Sequence, residues 1–365
     1  MARNNDNESL WKSCFGIGSA RSSIFLIASI IFSLIAVADE YGAFNDKNNL
    51  YKDTKLVASS DEVNRVTENL EEILNVEICD DEVDEYCLLN AVVQNNKLSD
   101  EDKEFFYRYI DLFLDNPYLN KEDVYYALLN LDISYMERPG AVSVYTLGDF
   151  NNRKKIIRIF YDNARRSTLA HEGVHCLYSN EKTKSLPTYF VEGMTELLAN
   201  EYFDNNPFVE VNSYCFEVAC CKLLCELTSP DVVLKSFTLG DMGYIIDDMA
   251  KTLDVGYGEV EFAFDNLNKM FMGFNHELDY PIDKTAIFND YMGIFLECAS
   301  KKYSYDDNEF ESVIHNYLIL NCMLSDDPYD SFSSIAFESG YPAKAYFSSK
   351  LKKNICDSVT YTKDK

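Results

Sequence analysis

Thr168-Leu169-Ala170-His171-Glu172-Gly173-Val174-His175-Cys176-Leu177 is the stretch on which the reading of this chain turns. It holds two of only four histidines in the protein, and apart from them Glu172 is its one charged residue. Without proline, and with apolar residues on one side, the run predicts a helix. On a helix, positions i and i+4 project from the same face, so the imidazoles of His171 and His175 can reach one metal ion. Glu172, one residue past the first histidine, is rotated towards that site without joining the ligands. That placement suits a base acting on water.

A catalytic metal of this kind needs a third protein ligand and keeps one position open. After a 16-residue spacer from His175 comes Glu192, in Tyr189-Phe190-Val191-Glu192-Gly193-Met194-Thr195-Glu196-Leu197-Leu198-Ala199, which reads as a second helix. Glu192 and Glu196 are again i and i+4, so both carboxylates face one way. An apolar helix with two acids on one inward face calls for a cation, because buried unpaired carboxylates are costly.

Residues 165–200 thereby resemble the gluzincin group of zinc metallopeptidases, to which the thermolysin-like enzymes belong; the likeness covers about a tenth of the chain. It implies a Zn²⁺ cofactor and a helix that follows a sheet edge strand. It also implies Glu192 as the third ligand and Glu196 as the acid that orients His171. The spacer before Glu192 is shorter than is common in that group, which leaves Glu196 as an alternative ligand. The group further uses a downstream Tyr or His to stabilise the oxyanion formed at the substrate carbonyl. Tyr214, which opens the next helix, is the first candidate, and His276, in the turn-like GFNHELDYP, the second. His315, within SVIHNYLIL, reads as a packed structural histidine, and Cys176 as a packing residue.

Around this motif the chain has 365 residues, 33 basic against 61 acidic, and is 47% hydrophobic, a composition that excludes disorder and collagen. A formal net charge of -28 repels phosphate, and no stretch gathers enough Lys and Arg to override it, so nucleic-acid binding is excluded. Neither a Gly-rich phosphate loop nor a G-x-S-x-G elbow is present. Ile24 to Ala38 runs without a charge, behind Arg3, Lys12 and Arg21 and ahead of Asp39 and Glu40. This predicts an export segment with residues 39–365 outside the cytoplasm, secreted or membrane-attached. Ala36-Val37-Ala38 offers a cleavage site for a signal peptide, and an uncleaved anchor through residues 22–38 is the alternative.

Of the cysteines, Cys215, Cys220, Cys221 and Cys225 lie in an apolar helical stretch and read as small buried hydrophobes. Cys79 and Cys87 flank CDDEVDEYC and are the one pair placed for a bridge; the acids between them lack the spacing of a calcium loop.

The fold class expected is α+β and predominantly helical: a zincin-like core with a small β-sheet, and a helical C-terminal lobe forming the other wall of a cleft. Residues 1–38 form the export segment, 39–138 a helical N-terminal region, 139–205 the catalytic core and 206–365 the C-terminal lobe. Helical patterns run from Ser60 to about Met136, with caps at Ser60 or Asp61, at Ser99 with Asp102 reciprocal, and at Asn120. Two strands are expected, Ala141 to Leu147 and Ile156 to Tyr161, joined by the turn-rich GDFNNRKK, and the second is expected to align an extended substrate. The function expected is hydrolysis of peptide or protein substrates with Glu172 as general base. The alternative is a non-catalytic extracytoplasmic binding or scaffold protein on a degenerate zincin fold.

Overall fold

The computed structural model describes residue 83 and residues 85–114, 116–140, 142, 146–160, 166–178, 182–202, 214–278, 280–339 and 347–359. All belong to the unit of residues 76–365. The export segment, the helix expected from Ser60, Cys79 and most of the expected strand Ala141 to Leu147 lie outside the described residues.

Side-chain caps start the helices that lead into the sheet. After α1 (Glu85–Gln94), Ser99 Oγ accepts the amide of Asp102 at 3.1 Å while its hydroxyl donates to Asp102 Oδ2 at 2.7 Å, opening α2 (Asp100–Leu114) as expected. Asn120 likewise accepts from the amides of Glu122 and Asp123 at the start of α3 (Lys121–Asn130). The helical pattern does not run to Met136. Buried Asn95 donates to the carbonyls of Leu128 and Leu131 at 2.7 and 2.8 Å, taking up backbone acceptors at the end of α3. The chain then turns extended as β1 (Asp132–Met136), in which Ile133 and Tyr135 pack on the core at the period of a strand. Tyr135 fixes this register by donating to Asp102 Oδ1 at 2.7 Å.

Among the described residues the sheet has three strands, in the order β1-β3-β2, where β2 is Gly148–Asn151 and β3 is Ile156–Phe160. The β-branched run Ile156-Ile157-Arg158-Ile159 is a strand as expected, and it is central, parallel to β1 and antiparallel to β2. Residues Gly148–Asn151, expected as turn, are strand: Arg158 donates from Nε to Asp149 Oδ1 at 2.6 Å and pairs with it across the register. The turn proper is residues 152–155, closed by Lys155 at φ 52. Phe160 also donates its amide to Leu147 O at 2.9 Å, continuing the pairing one residue back.

Against this sheet packs α4 (Arg166–Tyr178), whose Leu169, Ala170, Val174 and Leu177 are buried. Next to it lies α5 (Thr188–Tyr202), and beyond that α6 (Cys215–Leu227), the spine of the helical remainder. Cys220 and Cys221 are fully buried in α6, the small apolar role expected of them. Proline and glycine mark helix boundaries in this part of the chain. Ser229 caps α7 (Pro230–Leu239) with Pro230 in its first turn, and Gly240 ends it at φ 69. There follow α8 (Gly243–Leu253), α9 (Tyr257–Phe274), α10 (Lys284–Lys302), α11 (Asn308–Asn321), α12 (Pro328–Ser339) and α13 (Ser349–Ser358). The described architecture is thus predominantly helical with one small sheet. Among the described residues, no helix is long and apolar enough to cross a membrane.

Candidate metal centre

The helical period places His171 and His175 on one face of α4, with ring centroids 4.8 Å apart. Glu192, on α5, faces them. His171 Nε2 and His175 Nε2 are 3.1 Å apart, and Glu192 Oε2 stands 3.3 Å from the first and 3.4 Å from the second. Three electron-pair donors thus converge in a near-equilateral triangle. Among the described residues this is the one group of His, Cys, Asp or Glu arranged to hold a metal ion.

What aims these donors lies one layer out. Glu196 Oε2 is 2.7 Å from His171 Nδ1, a buried contact in which Nδ1–H donates to the carboxylate and Nε2 is turned towards the triangle. Glu192 and Glu196, one turn apart, therefore have different roles: the first joins the triangle and the second holds a histidine from behind. Thr195, fully buried on the same helix, has Oγ1 3.5 Å from His175 Nδ1. Sequence reasoning missed Thr195, although its place between the two glutamates puts it on their side of the helix.

The electrostatics follow from burial among like charges. Burial disfavours a charged His171, but contacts with Glu192 and Glu196 and the field of Glu172 outweigh it and carry its pKa up to about 10. Burial likewise opposes charge on Glu192, and the two histidines hold its carboxyl well below the usual range despite it. Glu172 is 6% exposed, and burial pushes its carboxyl up to about 7 against the two histidines. It faces the sheet edge. A β-carbon on Gly148 would come within 2.8 Å of Thr168 Cγ2, 2.9 Å of Arg158 O and 3.3 Å of Glu172 Cγ, so only glycine lets β2 lie this close to α4. The central strand β3 is paired on both sides and offers no free edge, which corrects the expectation that it aligns a substrate. The edge strand beside Glu172 is β2.

Tyr214 is brought to the site. It precedes α6 with φ 54, a left-handed conformation that costs a bulky side chain about 1–3 kcal/mol, and its ring stacks on His171 at 5.2 Å and 8°. Its phenol is raised above the ordinary value by loss of solvent and by Glu192 beside it, so it is a proton donor at neutral pH. His276 is not brought to the site: it is exposed, in the turn after α9, and outside the metal-holding group. His315 is half-buried in α11, where burial and then Lys222 lower its pKa, in keeping with a structural role.

One buried acid on the next helix was not foreseen in the sequence. Glu217, in the first turn of α6, is 8% exposed; burial pushes its carboxyl up to about 7, its own backbone amide opposes this, and Glu192 adds to it. Helices α5 and α6 meet tightly here, since a β-carbon on Gly193 would lie 2.4 Å from Glu217 O and 2.8 Å from Cys221 Sγ. Comparison of the chain with protein-family models, with curated proteins and with solved structures gave no match, so what the site does is argued from its own residues.

Proposed function

We propose that this protein is a zinc-dependent peptidase with His171, His175 and Glu192 as ligands. The observation that carries the reading is the donor triangle with a buried glutamate beside it. Around a tetrahedral zinc with bonds of about 2.0–2.1 Å, ligand atoms stand about 3.3–3.4 Å apart. The edges here are 3.1, 3.3 and 3.4 Å. Two imidazole nitrogens and one carboxylate oxygen are also the ligand types of catalytic zinc sites that keep one position open. When bound, the zinc would supply Lewis acidity to the substrate carbonyl and to the attacking water.

The chain's own residues would do the rest. Glu172 accepts the proton of the attacking water as its oxygen bonds to the carbonyl carbon, then delivers that proton to the amine as the C–N bond breaks. Tyr214, protonated and stacked on His171, donates a hydrogen bond to the developing oxyanion. Glu196 and Thr195 hold the histidines in the tautomer that presents Nε2. The edge of β2, unpaired among the described residues, aligns an extended peptide by backbone pairing. A scaffold with a purely structural ion would have no use for a buried base at this point, which favours the catalytic reading over a binding protein. The reading includes export, on the strength of residues 1–38.

Glu172→Gln tests the mechanism, because it preserves size and every proposed ligand while removing the proton acceptor. The variant is expected to bind zinc like the parent and to lose about 10²–10⁴-fold in peptide hydrolysis. Parental activity in that variant would refute the role of Glu172.

A further inference from the structure

The helix nearest the C-terminus is docked by a charge. Lys352 is the one buried residue of α13, at 2% exposed. On a helix it shares a face with Ile355, Cys356 and Val359, three, four and seven residues further on. Val359, just past the helix, is buried, and Ile355 and Cys356 are half-buried against the core. An apolar docking stripe thus has a lysine at its most buried place. Lys352 Nζ stands 3.7 Å from Oε2 of Glu311, in the first turn of α11, where Glu311 is 4% exposed. At the start of α13, Ser349 Oγ donates to Asp306. The helix carries three lysines against one aspartate in a chain of 33 basic and 61 acidic residues, so a basic element lies on an acidic body.

A buried ion pair is a poor source of net stability, because the desolvation of both ions offsets their attraction. Removing one partner costs far more than the pair contributes, since it strands the other ion away from water. With so little apolar surface committed on α13, docking of this helix depends on the one contact. The body beneath it does not. Helix α11 is fixed to α6 and α10, and it buries Phe310, Val313, Ile314 and Leu320 of its own.

We propose that α13 is a latched arm: it stays docked while the Lys352–Glu311 pair is intact, and loss of either charge releases it as one unit without unfolding the helices beneath. Release uncovers Glu311 and the part of α10 against which the helix packs. This is a sub-global opening of the kind that cooperative units at the low end of a protein's stability undergo. It does not depend on the peptidase reading.

Hydrogen exchange of the full chain, resolved by peptide mass spectrometry, tests this without a substrate or a metal. In the parent, the amides of α13 are expected to share one level of protection, below that of α6. Glu311→Gln preserves size and leaves Lys352 buried without its counter-charge, and Lys352→Met does the same to Glu311. Each is expected to speed exchange in α13 by about tenfold or more while α4, α5 and α6 keep the parental rates. The double variant Lys352→Met/Glu311→Leu replaces the pair by two apolar side chains and is expected to restore parental protection or exceed it. It separates a charge left alone from a change of shape. Parental exchange in α13 of either single variant, acceleration that extends equally to α4, α5 and α6, or a double variant as open as the single ones overturns the proposal. So does a parent in which α13 is protected as strongly as α6.

Discussion

Removing the carboxylate of Glu196 or that of Glu192 separates the two layers of the site. Glu196→Ala deletes a 2.7 Å contact to His171 Nδ1, where both side chains are less than a tenth exposed. The imidazole is then free to rotate or to change tautomer, and loss of such an outer partner lowers metal affinity by about 10- to 100-fold. That corresponds to about 1.4–2.7 kcal/mol of binding free energy. Leaving the buried Nδ1–H without an acceptor costs about 1–3 kcal/mol of stability in addition, which a thermal melt reads separately. Glu192→Ala removes one of three donors, the oxygen 3.3 and 3.4 Å from the two Nε2 atoms, and leaves a two-histidine site. Zinc affinity in that variant is expected to fall well beyond the range for Glu196→Ala. Competition with a chromogenic chelator ranks parent, Glu196→Ala and Glu192→Ala without any need for a substrate. If Glu196→Ala loses the metal and Glu192→Ala keeps it, the assignment of ligand and supporting acid is reversed. If both bind like the parent, neither acid belongs to the site.

Three further outcomes concern the rest of the chain. Burial pushes the thiols of Cys176 and Cys298 up to about 12, and those of Cys220 and Cys221 are raised as well. All four should therefore resist iodoacetamide at pH 8 in the folded protein and react once it is denatured. Because a thiol with a raised folded-state pKa ionises first in the unfolded chain, stability should fall as pH rises from about 9 towards about 12. Native labelling of these residues at the denatured rate, read by mass spectrometry, would contradict their burial. Export predicts that a reporter active only outside the cytoplasm works when fused after Lys365, with Asp39 as the mature N-terminus if the leader is cleaved. A reporter active only in the cytoplasm would refute the topology.

The centre of the site was legible because it depends on one local rule. Four-residue spacing on a helix sets His171 beside His175, and Glu192 beside Glu196, wherever the helices pack. Which glutamate faces the triangle was not legible, since that follows from the angle between α4 and α5. The sheet was read only in its central strand, where Ile156, Ile157 and Ile159 carry the β signal. Gly148-Asp149-Phe150-Asn151 has turn composition, yet it is held as an edge strand by pairing with β3 and by close approach to α4. Asp132–Met136 carries no local strand signal, because its partner, β3, lies 24 residues along the register, beyond any local pattern. Tyr214 was legible from its place at a helix start, whereas Glu217 was not, because a glutamate in a first turn is ordinary at a surface and only burial makes it unusual.

The measurement that bears most directly on the central claim is the zinc content of the purified full chain, for the parent and for a His171→Ala/His175→Ala double variant. The protein is prepared without chelator and read by elemental mass spectrometry. The account predicts about one zinc per parent chain and almost none in the double variant, with added zinc raising the thermal midpoint of the parent alone. A parent that takes up no zinc, or a double variant that holds as much as the parent, would contradict it.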